Sequence, residues 1–570
     1  MVGRLEGQAG TAPTLRYSRS MPLRDRISRR HAGRAVVTAS GGLLVACQTT
    51  PFSQTSDDQP LRTFLWDFDT LDPAFTAGAI EAEYVVHLFA GLTSLNEKLE
   101  AVPDLAEKWA VSSDGRTYTF TLRRGAKFHD GRPIVAADVK FSLERAADPA
   151  IASPVALTYL GDIQGFAARQ SGRAPSVSGI KVRDDATIEI VLDEPRTYFP
   201  SKLTYPVSYV VDERDVARGA RWWLTPNGSG PFKVASLIPG ERFSLVRHEG
   251  YHGTKPALVG VDYLAVPPVE AYEHGMIDIA AVDLADIDRV TDKSDPLNRE
   301  LRVRTDLDIQ YLALNVTAKP FDDPKVRQAF NHALDRDRIA TVTLKRTVIK
   351  ADGILPPGMP GRGDRVRGLD YDVSRARQLV AESSYRDVRN FPEISLTVMG
   401  SRTAPAPEVN AIIATYRQSL GVDVRVRQLD RDAFLAATQR ERDRPQMFMT
   451  GWIADYADPQ NFLDILFHSR SRENVSRYAS PDVDRDLERA RADRDNASRM
   501  RVYQDVEARI LQDAPWVPLW HNKRYVLVKP WVQGYAAPAI IQPWLKAVSL
   551  KGRPPLVAPA APTPTAPRRA

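Results

Sequence analysis

Between Gly451 and Phe462 the chain reads GWIADYADPQNF, with Asp455 and Asp458 three residues apart among aromatic neighbours. Two carboxylates at that spacing can form an acid–base dyad, ligate a metal, pair with a cationic ligand or serve as turn residues. A dyad needs partners that drive its two pKa values apart and a nucleophile or base close by, and the flanking residues supply neither. A metal site needs further ligands, and the nearest histidine, His468, lies ten residues past Asp458. Asp458 precedes Pro459, and Asp-Pro favours turn initiation with the carboxylate accepting backbone amides. For Asp455 both the turn and the counter-charge to a cation stay open.

Other stretches with chemical potential give less. FHDG at 128–131 has the His-Asp pair of metal-dependent phosphohydrolases but no companion His/Asp set, and its place between a strand and a helix start marks a turn. Trp222-Trp223 and PWVPLWHNKRY (515–525) can line a cleft or pack a core, and Trp520 and His521 are the ligand-contact candidates they offer. The nine histidines form no H-x-H pair, and although HEGYH at 248–252 spells H-E-x-x-H, its glycine does not favour the helix that motif needs, so no zinc site is expected. No G-x-x-x-x-G-K-[ST] loop or G-x-S-x-G elbow occurs, which argues against ATP hydrolysis and the usual α/β-hydrolase chemistry. The expectation is a protein that is not an enzyme and carries no cofactor.

At 570 residues the chain exceeds what one core supports, so several domains are expected. Its net charge of +6 resides in residues 1–47, where eight arginines face only Glu6 and Asp25, and the remaining chain is neutral. A neutral body removes the main support for nucleic-acid binding. Arg24–Arg34 precede a short apolar run, Ala35–Ala46, which reads as a secretory leader too short to span a bilayer. Met21 is a plausible start. Leu44-Val45-Ala46-Cys47 resembles a bacterial lipoprotein box, which implies cleavage before Cys47, lipidation of that cysteine and a membrane-tethered protein in the periplasm or cell envelope. Cys47 is the only cysteine, so no disulfide framework is expected.

Strand and helix signals mix throughout the body. RTYTFTLRRGAKF alternates through Tyr118, Phe120 and Leu122, turns at Gly125 and is expected to return as a hairpin. TIEIVLDEP alternates through Ile188, Ile190 and Leu192. Asp323 is an expected N-cap with Pro324 at the first helical position, and Val326, Phe330, Ala333 and Leu334 fall on one face. EISLTVMG, a helix over Glu408–Leu420 ended by Gly421, and VDVRVRQL form a β-α-β unit.

Several of these stretches, in order, resemble one family. They are LDP (71–73), LFAGL (88–92), VPDLAEKWAVSSDGRTYTFTLRRGAKFHDGRPIVAADVKFSLER (102–145), NGSGPFKV (227–234), PGERFSLVRHEGYHG (239–253), KPFDDPKVRQAFNHALDRDRI (319–339), GWIADYADPQNFL (451–463) and LVKPWVQGY (527–535). This set is similar to the bacterial extracellular solute-binding proteins of family 5, the substrate-binding proteins of peptide ABC transporters, over about residues 61–550.

The resemblance implies an α/β, two-lobed clamp with an additional β-rich domain. Its expected parts are a leader (1–47), a linker (48–60), lobe I from 61–95, 205–304 and 523–550, the extra domain (96–204), lobe II (305–522) and a Pro/Ala tail (551–570). It further implies an oligopeptide ligand, a permease and ATPase as transporter partners, and a monomer. In the family the aspartate of a Gly-Trp-x-x-Asp stretch holds the peptide ammonium, which is Asp455 here. Gly451, Trp452 and Ile453 would run beside the peptide, with Gly78 and Ala79 facing them. Dipeptide, oligosaccharide, haem or metal-chelate cargo are alternatives on the same scaffold, and an envelope hydrolase is the alternative from another class.

Overall fold

One strand of thirteen residues, Trp516–Val528, runs through a twelve-stranded sheet and belongs to both of its halves. The structure is a computed structural model and describes residues 58–364, 366–400, 404–439 and 444–554. The expected leader with Cys47, most of the linker and residues 555–570 of the tail lie outside the described residues.

Along the first part of the chain the strands are β1 (Leu61–Phe64), β2 (Thr93–Leu95), β3 (Ala101–Pro103), β4 (Ala106–Val111), β5 (Thr117–Leu122), β6 (Ile180–Asp184) and β7 (Thr187–Val191). Then come β8 (Phe232–Ile238), β9 (Arg242–Arg247), β10 (Gly260–Leu264), β11 (Ile279–Ala281) and β12 (Leu301–Thr305). Six more follow, β13 (Asp308–Leu314), β14 (Val348–Lys350), β15 (Ile394–Met399), β16 (Val424–Leu429), β17 (Met447–Ile453) and β18 (Trp516–Val528), before a short antiparallel pair of Val532–Gln533 with Ser549–Leu550.

The large sheet is ordered β16-β15-β17-β13-β18-β11-β1-β10-β9-β8, with β12 and β14 also on β18. Residues Trp516–Asn522 of β18 pair with β13 and β14, and Lys523–Val528 pair with β12 and β11. A smaller sheet, β4-β5-β7-β6, carries its own core around Phe120, Phe128, Leu143, Ile188 and Ile190.

The apolar run DIQYLAL becomes β13 because both faces of that strand are covered. Ile309, Tyr311 and Ala313 enter one core, while Leu312 and Leu314 enter the core on the opposite face. The β-α-β unit forms as expected: β15 and β16 are parallel, joined by the helix Pro407–Leu420, which Gly421 ends at φ +73°. Asp323 caps the helix Pro324–His332 by accepting from Lys325 N at 2.8 Å, and Val326, Phe330, Ala333 and Leu334 are all fully buried. Burying the valine, phenylalanine and leucine side chains contributes about 1.5–3 kcal/mol each.

The hairpin expected through Gly125 does not form. The neighbours of β5 are β4, through the turn at Ser112–Arg116, and β7, which arrives from residue 187. After Gly125 the chain makes only a bridge between Lys127 and Pro133 around a turn at Phe128–Arg132. Asp130-Gly131 bend the chain there, and Pro133 lacks the amide that a returning strand would need. FHDG is the expected turn.

Several of the resemblance-carrying motifs prove to be scaffold joints. Asp72 of LDP takes Arg145 of SLER bidentately at 2.9 and 2.6 Å and accepts from Trp222 Nε1 at 3.1 Å. Trp222 is therefore a core residue. The glycines of NGSG let that loop lie against the end of the helix Ala79–Leu88: Ser229 N and Gly230 N donate to Leu88 O, and a Cβ at Gly228 would sit 2.0 Å from the same oxygen.

Removing one partner of a buried ion pair strands the other charge. Asp72→Ala is expected to cost about 3–5 kcal/mol, read as a lower chemical-denaturation midpoint. Asp72→Asn, which keeps the shape and part of the hydrogen bonding, is expected to cost less.

Candidate ligand-binding cleft

The cleft begins where two strands separate. β17 is paired with β13 along its whole length, from Met447↔Leu314 to Ile453↔Asp308. Its other neighbour, β15, touches it only at Leu396↔Met447 and Thr397↔Phe448 and then stays with β16 as far as Met399↔Leu429. From Met449 to Ile453 the outer edge of β17 has no strand partner among the described residues. That edge is about 17 Å of extended chain whose alternate residues present N–H and C=O groups.

A cavity of about 830 Å³ occupies the wedge. Val398, Met399 and Gly400 line one side, Met449–Ile453 the other, and Gly78 and Ala79 also line it. Asp306, Asp308, Gln310 and Asn522 complete the wall toward β18, and Glu408 stands in the first turn of the helix Pro407–Leu420. Gln310 lies over Gly451 so closely that a Cβ there would meet its amide at 2.2 Å. Arg431 spans the two halves of the sheet, reaching Asp69 and, at 3.3 Å, Glu81 of the helix Ala79–Leu88.

The expected site residues thus separate into groups. Gly451, Trp452, Ile453, Gly78 and Ala79 line one cavity. Asp455 lies two residues past Ile453, 7% exposed and off the cavity wall. Its Oδ2 accepts from Tyr159 Oη at 2.5 Å and Asn461 Nδ2 at 3.0 Å, while Oδ1 accepts no hydrogen bond from a described residue. Burial pushes the carboxyl up to about 7, against the two hydrogen bonds that pull it down.

Trp520 and His521 do not line the cavity. Trp520 packs into a core of the second half, and His521 Nδ1 bonds Asp308 O at 2.6 Å, with burial lowering its pKa to about 4. Their neighbour Asn522 is the cleft residue. Its backbone N donates to Asp308 Oδ1 at 2.8 Å and its amide to Oδ2. Burial raises Asp308 to about 6.

Two residues that shape the site carried no signal of their own in the sequence. Asn461, fully buried, receives Trp452 Nε1 at 3.0 Å and Asp455 N at 3.1 Å while donating to the Asp455 carboxylate. Tyr159 comes from the small-sheet region, stacks on Tyr205 at 3.9 Å, and Tyr205 Oη donates to Thr76 O, two residues before Gly78. Asp458 is structural, as its proline suggested. It caps Gln460 N at 3.0 Å and holds Arg499 bidentately at 2.9 and 2.6 Å, a pairing that spacing alone did not show. Among the described residues no group of three or more His, Cys, Asp or Glu side chains could hold a metal ion.

Residues 100–474 match the family described as bacterial extracellular solute-binding proteins, family 5 Middle. The chain belongs to the family 5 bacterial extracellular solute-binding proteins. It is 30% identical over 500 residues to the periplasmic oligopeptide-binding protein OppA of Salmonella typhimurium, covering 85% of this chain and 90% of that one. It is 29% identical over 489 residues to the "Probable deoxycholate-binding periplasmic protein YgiS" of Escherichia coli, covering 82% and 89%. Among solved structures, the murein tripeptide binding protein MppA of Escherichia coli superposes with a TM-score of 0.76 at 25% identity, covering 87% of this chain and 99% of that one. The fold is the two-lobed periplasmic-binding-protein clamp.

A carboxyl raised by folding keeps its proton in the folded chain between about 4 and 7, where the unfolded chain has released it. The folded state then binds more protons, so this group lowers stability as pH rises through that window. Asp455→Asn can keep both acceptor contacts and is expected to melt higher than the ligand-free parent at pH 8, with the difference shrinking toward pH 4.

Proposed function

We propose that this chain is an extracytoplasmic receptor that takes an oligopeptide into the cleft as an added strand and delivers it to an ABC importer. The observation that supports this is the free edge of β17 at Met449–Ile453, bordering an open cavity. A receptor for peptides of many sequences has to grip what all peptides share, and backbone pairing does so without reading side chains. Gly451 makes room for the Gln310 amide on the wall, Trp452 adds a flat apolar surface fixed by Asn461, and Gly78-Ala79 contribute from the other lobe.

In this reading Asp455 receives the peptide ammonium at the end of the strand. Its Oδ2 is held by Tyr159 and Asn461 while Oδ1 keeps a free acceptor. An arriving ammonium would favour the ionised carboxylate that burial alone disfavours. The lobes close about β18, with Arg431 pairing across to Asp69 and Glu81 in the closed form.

The cargo named for YgiS supports a second reading, an amphipathic carboxylate. Such a ligand offers no strand for the β17 edge, and its charge would meet Asp306, Asp308 and Glu408. Peptide is the better fit. The leader reading places the protein in the periplasm, tethered through Cys47 and the linker 48–60, with the permease and ATPase of the importer as partners.

Peptide at about 100 times Kd is expected to stabilise the fold by about 2.7 kcal/mol, visible as a melting shift. Asp455→Asn is expected to weaken binding by about 2–5 kcal/mol in calorimetry. N-acetylated peptides binding the parent as tightly as free ones would remove the ammonium assignment. Palmitate labelling of the expressed protein is expected to disappear in Cys47→Ser.

A further inference from the structure

We propose that the cleft selects peptides bearing lysine or arginine side chains in addition to their α-ammonium. This inference rests on the peptide reading above and concerns the charge lining the same cavity. The charged residues among the described lining are Asp306, Asp308 and Glu408, and none of the described lining residues is Lys, Arg or His. Asp455 lies just past one end of the strand edge, so an α-ammonium there leaves Asp308 and Glu408 without a cation, whereas Asp306 is paired with Arg524.

The protein's own cations answer only one of them. Asp306 is paired with Arg524, whose Nε and Nη2 donate to Oδ2 at 3.4 Å. Asp308, 4% exposed, is held only by the neutral amides of Asn522 and Gln310. Glu408 makes no hydrogen bond or ion pair to a described residue. Arg431, the cation near Gly78, is already shared between Asp69 and Glu81.

A buried carboxylate satisfied only by neutral donors, as Asp308 is, lacks a compensating charge, which is costly away from bulk water, and Glu408 has no partner at all among the described residues. A cationic side chain on the ligand supplies it, and an anionic one adds repulsion. The acids also differ in position. Asp308 is paired in register with Ile453, near the proposed ammonium end. Glu408 follows β15 on the far side of the wedge, beside Val409 and Ala406. Cationic side chains at more than one peptide position therefore find an acid, while the peptide backbone stays on β17.

The test is calorimetry with a fixed-length alanine pentapeptide carrying Lys, Gln or Glu at each of its last four positions in turn. At one position or more, Lys is expected to bind about tenfold tighter than Gln, and Glu about tenfold weaker. The Lys advantage is expected to fall in Glu408→Gln, a partly exposed position that tolerates the change, or in Asp308→Asn, and to shrink at about 0.5 M salt. Equal affinity for the Lys, Gln and Glu peptides overturns the charge inference and leaves the peptide reading standing. A Lys advantage unchanged in both variants overturns the assignment to these acids. Failure of every peptide to bind overturns the peptide reading itself.

Discussion

An unpaired strand edge has to find hydrogen-bond partners, and the site rests on where this sheet leaves one. β15 and β17 part after Thr397 and Phe448, so the outer edge of Met449–Ile453 faces a cavity instead of a neighbour. Exposed edges invite unwanted pairing, and proteins usually cover or charge them. Here the edge is recessed between two lobes, with a glycine at its centre and a tryptophan fixed beside it. Protection from other chains and the access proposed for one extended ligand would come from the same geometry.

The wall behind that edge is shared work. β13 supplies every partner of β17 on its inner side, and its own opposite side is closed by β18. The small-sheet region also reaches the site. Tyr159 holds the Asp455 carboxylate, and Tyr456 of the second half is buried in the small-sheet core. The extra domain thus has a physical part in presenting the acid, which a two-lobed description alone would not assign to it.

Much of the fold was legible because local signals and tertiary needs agreed. Asp323-Pro324 cap and start a helix whatever surrounds them, and the spacing of Val326, Phe330 and Leu334 already declares its buried face. The hairpin through Gly125 was misread because alternation in Thr117–Leu122 reveals a strand but not its partners, and β7 arrives from about seventy residues away. For the site, the five cavity-lining residues came from resemblance in the motifs, not from periodicity. Tyr159 and Asn461 were invisible because a lone tyrosine or asparagine announces no partner until the chain folds. Trp520 and His521 missed the cavity because aromatic richness does not say which side of β18 is core, and Asn522 beside them had no composition signal at all.

The second half of the sheet begins and ends at one seam. Thr305 of β12 is paired with Lys523 of β18, and Asp306 N donates to Asn522 O at 2.9 Å, so the excursion from 306 to 522 leaves and re-enters at neighbouring backbones about 5 Å apart. That makes it a cassette in the engineering sense, an insertion whose termini already meet. It contains the open edge, the proposed ammonium acid and the acidic lining, with Asp306 and Asn522 at the joint itself. Transplanting this one continuous segment between relatives would move those groups together, while Gly78, Ala79 and Tyr159 would be supplied by the recipient.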